Sequence, residues 1–173
     1  MSTKNLAIIT ARGGSKRIPR KNIKPFCGKP ILCYSIEAAL SSGVFDEVMV
    51  STDDEEIAQV AKKAGAKVPF FRSAETADDY ASTDDVIMEV IKAYQQIGQY
   101  FDSFCCIYPT ALFLSSERLR SAMELLKEAD YERILSEYDV ITSKAMHAGE
   151  PYRDYYAKAH NGRDLEEEGR VIA

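Results

Sequence analysis

The chain has only two histidines, scattered cysteines and no long apolar run, and each shortage closes off a class of function. His147 and His160 have no His or Cys at ligand spacing, so a zinc site is not expected. The four cysteines, Cys27, Cys33, Cys105 and Cys106, show neither C-x-x-C spacing nor the density of a disulfide scaffold. Cys105 and Cys106 lie in an apolar run and read as core thiols. No stretch approaches the roughly 20 apolar residues that a spanning helix needs, and the N-terminus has no signal-peptide core, so a soluble cytoplasmic protein without membrane partners is expected. Both common phosphate fingerprints are missing: there is no G-x-x-x-x-G-K-[ST], and no G-x-G-x-x-G opening a helix. An acidic balance, 27 Asp+Glu against 22 Lys+Arg for a net charge of −5, leaves no wide basic face for general nucleic-acid binding.

Against that acidic background, the segment Ala11-Arg12-Gly13-Gly14-Ser15-Lys16-Arg17-Ile18-Pro19-Arg20-Lys21, closed by Asn22, gathers the cations Arg12, Lys16, Arg17, Arg20 and Lys21. It follows Leu6-Ala7-Ile8-Ile9, which reads as a buried strand. Gly13 and Gly14 would let backbone N–H groups approach an anion without a Cβ in the way. Pro19 biases Ile18 toward extended geometry and argues against a helix starting in the loop. The reading is an extended phosphate cradle built mainly from side-chain cations, set against the alternative of a solvated turn.

With 173 residues and 46% hydrophobic content, the chain suits one globular domain with a sizeable core. Strand-like runs alternate with helical patterns, the signature of a parallel sheet covered by helices. Leu32, Ile36, Ala39 and Leu40 mark a helix face ending near Gly43. After the strand Val48-Met49-Val50, Asp53 with Glu56 has capping-box spacing ahead of a helix face of Ile57, Val60, Ala61 and Ala64. Val68-Pro69-Phe70-Phe71 reads as a short edge strand, followed by an acidic loop from Arg72 to Ser82. Thr83 is expected to cap the helix marked by Ile87, Val90, Ile91 and Tyr94. Phe104-Cys105-Cys106-Ile107-Tyr108 reads as a central buried strand, Ser115 as the cap of a helix with Leu119, Ala122, Met123 and Leu126 inward, and Val140-Ile141 as one more strand. Residues 1–143 are expected to form the nucleotide-binding α/β domain. Residues 144–173, with Asn161-Gly162 and Glu168-Gly169 turns and no helical apolar face, read as an extended arm.

The basic loop, Val50-Ser51-Thr52-Asp53, Arg72…Glu75 and Tyr108-Pro109-Thr110-Ala111 resemble, in order and spacing, the cytidylyltransferases that make CMP-activated nonulosonic acids. Cys105 to Ala111 is most similar to the pseudaminic acid branch, since sialic-acid members tend to carry a glutamine before Pro-Thr. The resemblance implies a three-layer Rossmann-like nucleotidyltransferase fold, mostly parallel with helices on both faces, plus a C-terminal dimerisation arm. It implies transfer of CMP from CTP to an acidic nine-carbon sugar, pyrophosphate release, Mg²⁺ and a homodimer. Arg12 and Lys21 would be the catalytic triphosphate contacts, with Gly13, Gly14, Ser15 and Lys16 completing the cradle and Asn22 orienting the nucleotide. Cytosine would be read near Ala11 and Arg12 and by Arg72 and Thr83, with Tyr108 and Thr110 completing the nucleotide site. The dull alternatives are that Arg72 pairs with Glu75 and that Thr83 only caps its helix.

Three departures from the family pattern stand out. Ser73 follows Arg72 where relatives carry proline, and Leu112 stands where proline is usual after Pro-Thr-Ala. The sugar-binding Arg-x-Gln-Asp-Leu-like segment and the final acidic metal pair are not found before Ala173, so no metal ligand is assigned. Asp53, Asp78, Asp79, Asp84 and Asp85 are read as cap or solvated stretch, while Tyr152, Arg153 and Tyr155 border either the sugar pocket or a dimer contact. The expectation is a CMP-sugar synthetase whose remainder is missing from the chain. The alternative is a shortened nucleotide-binding or structural subunit that binds CTP without efficient turnover.

Overall fold

The computed structural model describes residues 4–128, 133–135 and 140–144. The chain opens with β1 (Asn5–Thr10), a loop, a 3-10 turn (Lys21–Ile23), the hairpin strands β2 (Pro25–Phe26) and β3 (Lys29–Pro30), and α1 (Ile31–Ser42). It continues through β4 (Glu47–Ser51), α2 (Glu55–Lys63), the short α3 (Ala74–Ala77), α4 (Thr83–Gln96), β5 (Ser103–Ile107), α5 (Ser116–Glu128), β6 (Arg133–Leu135) and β7 (Val140–Lys144). The main sheet has the order β4-β1-β5-β7-β6. β1 pairs in parallel with β4 and with β5, whereas β7 is antiparallel to β5, and β6 to β7. The expectation of a mostly parallel sheet therefore holds for β4, β1 and β5 only.

Helices cover both faces of the sheet, and the strand sequences show why. β1 and β5 are buried throughout apart from Thr10, so their alternate residues feed two cores. Ala7, Ile9, Val48, Val50, Cys105 and Ile107 pack with Leu32, Ile36 and Ala39 of α1, Ile57 and Ala61 of α2, and Leu119 of α5. Leu6, Ile8, Met49, Phe104 and Cys106 pack on the other face with Ile87, Val90 and Tyr94 of α4. The neighbouring cysteines thus point to opposite cores, and burial pushes the Cys106 thiol up to about 12.

Several local expectations shift. Leu40 is 44% exposed and reaches over Gly65 instead of completing the inner face of α1; a Cβ on Gly65 would sit 3.0 Å from Leu40 Cδ1. The N-cap of α2 is Asp54, not Asp53, and its carboxylate accepts from the Ile57 N–H at 3.0 Å. The segment from Val68 to Phe71 forms no strand. Only Lys67 bridges Met49, and Pro69 cannot donate to continue a ladder. The acidic loop holds α3, capped by Ser73. The N-cap of α4 is Ser82 in a capping box with Asp85, and Thr83 is the first helical residue. Ser115 caps α5 as its sequence suggests, accepting from the Arg118 N–H at 3.3 Å. The expected arm, with Tyr152, Arg153 and Tyr155, lies outside the described residues apart from Lys144. Among the described residues no helix is long and apolar enough to cross a membrane.

Candidate functional site

A cleft of about 820 Å³ opens beyond the C-terminal ends of β1 and β5, the side of an open parallel sheet where ligands bind. β1 is also where the chain changes direction across the sheet, with β4 on one flank and β5 on the other. The cleft gathers Arg12, Ser15, Lys16, Lys21, Asn22, Arg72, Thr83, Tyr108 and Thr110 from the sequence expectation, and adds Arg17 of the same loop. It leaves out Ala11, Gly13 and Gly14, and among the loop cations it leaves out Arg20.

The two glycines differ in a way that spacing does not reveal. The Gly13 N–H donates to Asp53 Oδ1 at 2.8 Å, so it is not open to an anion as expected. A Cβ on Gly13 would lie 2.9 Å from Asp54 Cβ, which makes this glycine a packing requirement between the loop and the β4–α2 turn. Nothing lies within 4 Å of a Cβ placed on Gly14. Ala11 is fully buried and donates its N–H to the Ser51 carbonyl at 2.9 Å, so that donor too is occupied.

Asn22 and Arg72 are the buried polar walls of the cleft. Asn22 is 3% exposed; its Nδ2 donates to the Arg12 carbonyl at 2.8 Å, while its buried Oδ1 has no partner. A buried acceptor left unpaired costs about 1–3 kcal/mol, a cost that a ligand donor would offset. Arg72 is 9% exposed and donates from Nε to Ser51 Oγ at 3.1 Å and from Nη2 to the Ser51 carbonyl at 2.9 Å. The expected alternative pairing with Glu75 does not form; the carboxylates that act on Arg72 electrostatically are Asp53 and Glu89, and burial lowers its pKa. Glu89 accepts from the Ser73 N–H at 2.8 Å and from the Thr76 hydroxyl, which ties the stretch after Arg72 to α4.

Thr83 and Tyr108 meet across the cleft, with their hydroxyl oxygens 3.3 Å apart. Ser82 does the capping one residue earlier, so the Thr83 side chain is not engaged as a cap, contrary to the dull alternative. Sequence reasoning missed the acidic lip of the cleft. Arg12 donates to the Asp78 carbonyl at 2.5 Å and pairs with Asp79 at 2.9 Å, and Lys16 pairs with the same carboxylate. The Lys16 contact holds the Asp79 carboxyl below the usual carboxylate range, with Arg12 adding to it. Its signal was present as Asp78-Asp79, a pair that reads equally well as solvated.

The cleft is thus a cation-lined trough with neutral hydroxyl and amide groups at one end, suited to a ligand with a polyanionic tail and a polar head. Among the described residues no cluster of three or more His, Cys, Asp or Glu could hold a metal ion.

Comparison with known proteins agrees with this chemistry. Residues 6–163 match the family described as Cytidylyltransferase. The chain is 47% identical over 154 residues to a pseudaminic acid cytidylyltransferase of Campylobacter jejuni, covering 88% of this chain and 66% of that protein. It is 41% identical over 122 residues to a CMP-N,N'-diacetyllegionaminic acid synthase of Legionella pneumophila, covering 70% of this chain and 53% of that protein. In fold it resembles a CMP:2-keto-3-deoxy-manno-octonic acid synthetase solved with CTP, at a TM-score of 0.69 and 16% identity, over 98% of this chain and 83% of that one. The chain therefore spans just under two thirds of the Campylobacter relative it matches. A cation-lined trough suits a polyanionic ligand, and the family model matches across nine-tenths of the chain: the chain belongs to the cytidylyltransferase family.

Proposed function

We propose that this protein transfers CMP from CTP to a nonulosonic acid of the pseudaminic type and releases pyrophosphate. The observation that carries the reading is the trough itself, in which Arg12, Lys16, Arg17 and Lys21 face the buried Arg72 beyond the ends of β1 and β5. Its support in sequence is the 47% identity to a pseudaminic acid cytidylyltransferase.

In this reading Arg12 and Lys21 grip the β- and γ-phosphates, with Ser15 and Lys16 beside them. A sugar hydroxyl attacks the α-phosphorus in line and gives up its proton to solvent, the new O–P bond forms as the bond to pyrophosphate breaks, and the cations neutralise the charge that builds on the leaving group. Asn22 offers its unpaired Oδ1 to a donor on the nucleotide, while Arg72, Thr83 and Tyr108 line the end where cytosine is read. Mg²⁺ bound to the triphosphate would add charge neutralisation, and among the described residues no cluster of three or more His, Cys, Asp or Glu could hold it. A cytoplasmic homodimer, with residues 144–173 as its arm, completes the proposal.

The test measures CTP binding by calorimetry and pyrophosphate release with pseudaminic, legionaminic and sialic acids in turn. Release with pseudaminic acid in clear excess over the other two is expected. Binding of CTP without release from any sugar would replace this reading with a nucleotide-binding subunit, and absence of CTP binding would end both.

A further inference from the structure

Arg20 is the one cation of the basic loop that turns away from the trough. Its guanidinium is held by Asp54, with Nη2 to Asp54 Oδ1 at 3.1 Å and a second, shorter contact from Nη1, and it also pairs with Glu56. Its backbone sits in the left-handed region, with φ 57 and ψ 30, a conformation that a non-glycine residue keeps only when its surroundings impose it. Directly after it the 3-10 turn begins, with the Ile23 N–H on the Arg20 carbonyl at 3.1 Å, and this turn delivers Lys21 and Asn22 to the trough.

Asp54 is well fixed to receive it. It caps α2, it is partly buried, and the Arg20 hydrogen bond holds its carboxyl below the usual carboxylate range. The other limb of the loop reaches the same turn, through the Gly13 N–H on Asp53 and the close packing of Gly13 on Asp54. Asn22 then ties the limbs together through the Arg12 carbonyl.

We propose that Asp54, acting through Arg20, is a positioning residue of the nucleotide site: it sets the geometry at which Lys21 meets the triphosphate. The proposal rests on the nucleotide reading above. Without the anchor, Arg20 would keep only its exposed contact with Glu56, and Lys21 would lose its fixed approach, which costs a preorganised site more than it costs the fold.

Asp54→Asn separates anchor from cap, because asparagine caps helices as well as aspartate does but carries no charge for Arg20. The expected result is a fall in CTP affinity of roughly tenfold, with a much smaller loss for CMP, since the charge-assisted contact acts on the triphosphate limb. Arg20→Gln should give a similar loss, and the double variant should be no worse than either single one. Trypsin adds a readout that needs no nucleotide: Asp54→Asn should speed cleavage at Lys16, Arg17 and Lys21 while the melting temperature falls only slightly. Equal losses for CTP and CMP, additive effects in the double variant, or an unchanged CTP affinity would each overturn the proposal. An unaltered protein that fails to bind CTP while Asp54→Asn still speeds loop cleavage would refute the nucleotide reading and leave the anchor standing.

Discussion

Asp53 and Asp54 meet the basic loop from behind, and Asp78 and Asp79 meet it from across the cleft. Behind the loop, the carboxylates take a backbone N–H and a partly buried guanidinium at the cap of a helix. Across the cleft, Asp79 pairs with Arg12, whose side chain is 34% exposed, and with Lys16, whose side chain is 81% exposed. The rear carboxylate is the more buried, Asp54 at 20% exposed against 34% for Asp79, and it is fixed by packing on Gly13 and by its place as a helix cap. The front contact is a screened surface pair of the kind worth little, so a polyanion can displace it. Neighbouring acidic pairs of the same composition thus shape the site or merely occupy it, according to what surrounds them.

The largest expected break in this comparison comes from removing the front cations themselves. Arg12→Ala combined with Lys21→Ala should weaken CTP binding by roughly a hundredfold or more, since each removes a charge-assisted contact; titration calorimetry would show it, and a loss below threefold would remove both from the grip. Gly13→Ala strikes the rear face, where the added Cβ meets Asp54 Cβ at 2.9 Å. A stability loss of about 1–3 kcal/mol in urea unfolding is expected from such overpacking, and an unchanged midpoint would mean that the loop is not seated on the turn.

Ser82→Ala should cost about 1 kcal/mol of stability by removing a capping box, whereas Thr83→Val should leave stability nearly unchanged and weaken nucleotide binding. The reverse pattern would return the cap to Thr83. Asp79→Asn has the opposite sign from the other changes: freeing Arg12 and Lys16 should tighten CTP binding by roughly threefold at low salt, as expected for an exposed pair. Weaker binding would instead make Asp79 part of the ligand site. The smallest effect concerns pH. Asp54 is held below the ordinary carboxylate range, so its stabilisation is complete above about pH 5 and is lost as pH falls through its lowered folded value. The stability difference between the unaltered protein and Asp54→Asn should therefore be flat near neutrality and shrink in acid; a difference that grew in acid would contradict the assignment.

Much of the fold can be read from local pattern. The buried runs of β1 and β5 and the inward faces of α4 and α5 stand where apolar periodicity puts them. One miss had a readable signal: counting three residues on from Ser82 reaches Asp85, while counting from Thr83 reaches Val86, so the capping box favours serine. Another had none. Asp53 has the better spacing to Glu56, yet Asp54 caps α2 because Asp53 is engaged by Gly13 from a distant part of the chain. Arg72 likewise chose Ser51 across the sheet edge over the nearby Glu75.

The sequence by itself determined the alternation of strands and helices, the presence of a polycationic loop after the first strand, and the family, because these depend on local periodicity, composition and motif order. Only the tertiary structure decided which cations face a ligand and which hold the loop. Arg20 and Lys21 are neighbours of the same charge, and their roles part because Asp54, 34 residues from Arg20 along the chain, lies behind the loop just past the end of β4, the neighbour of β1 in the sheet.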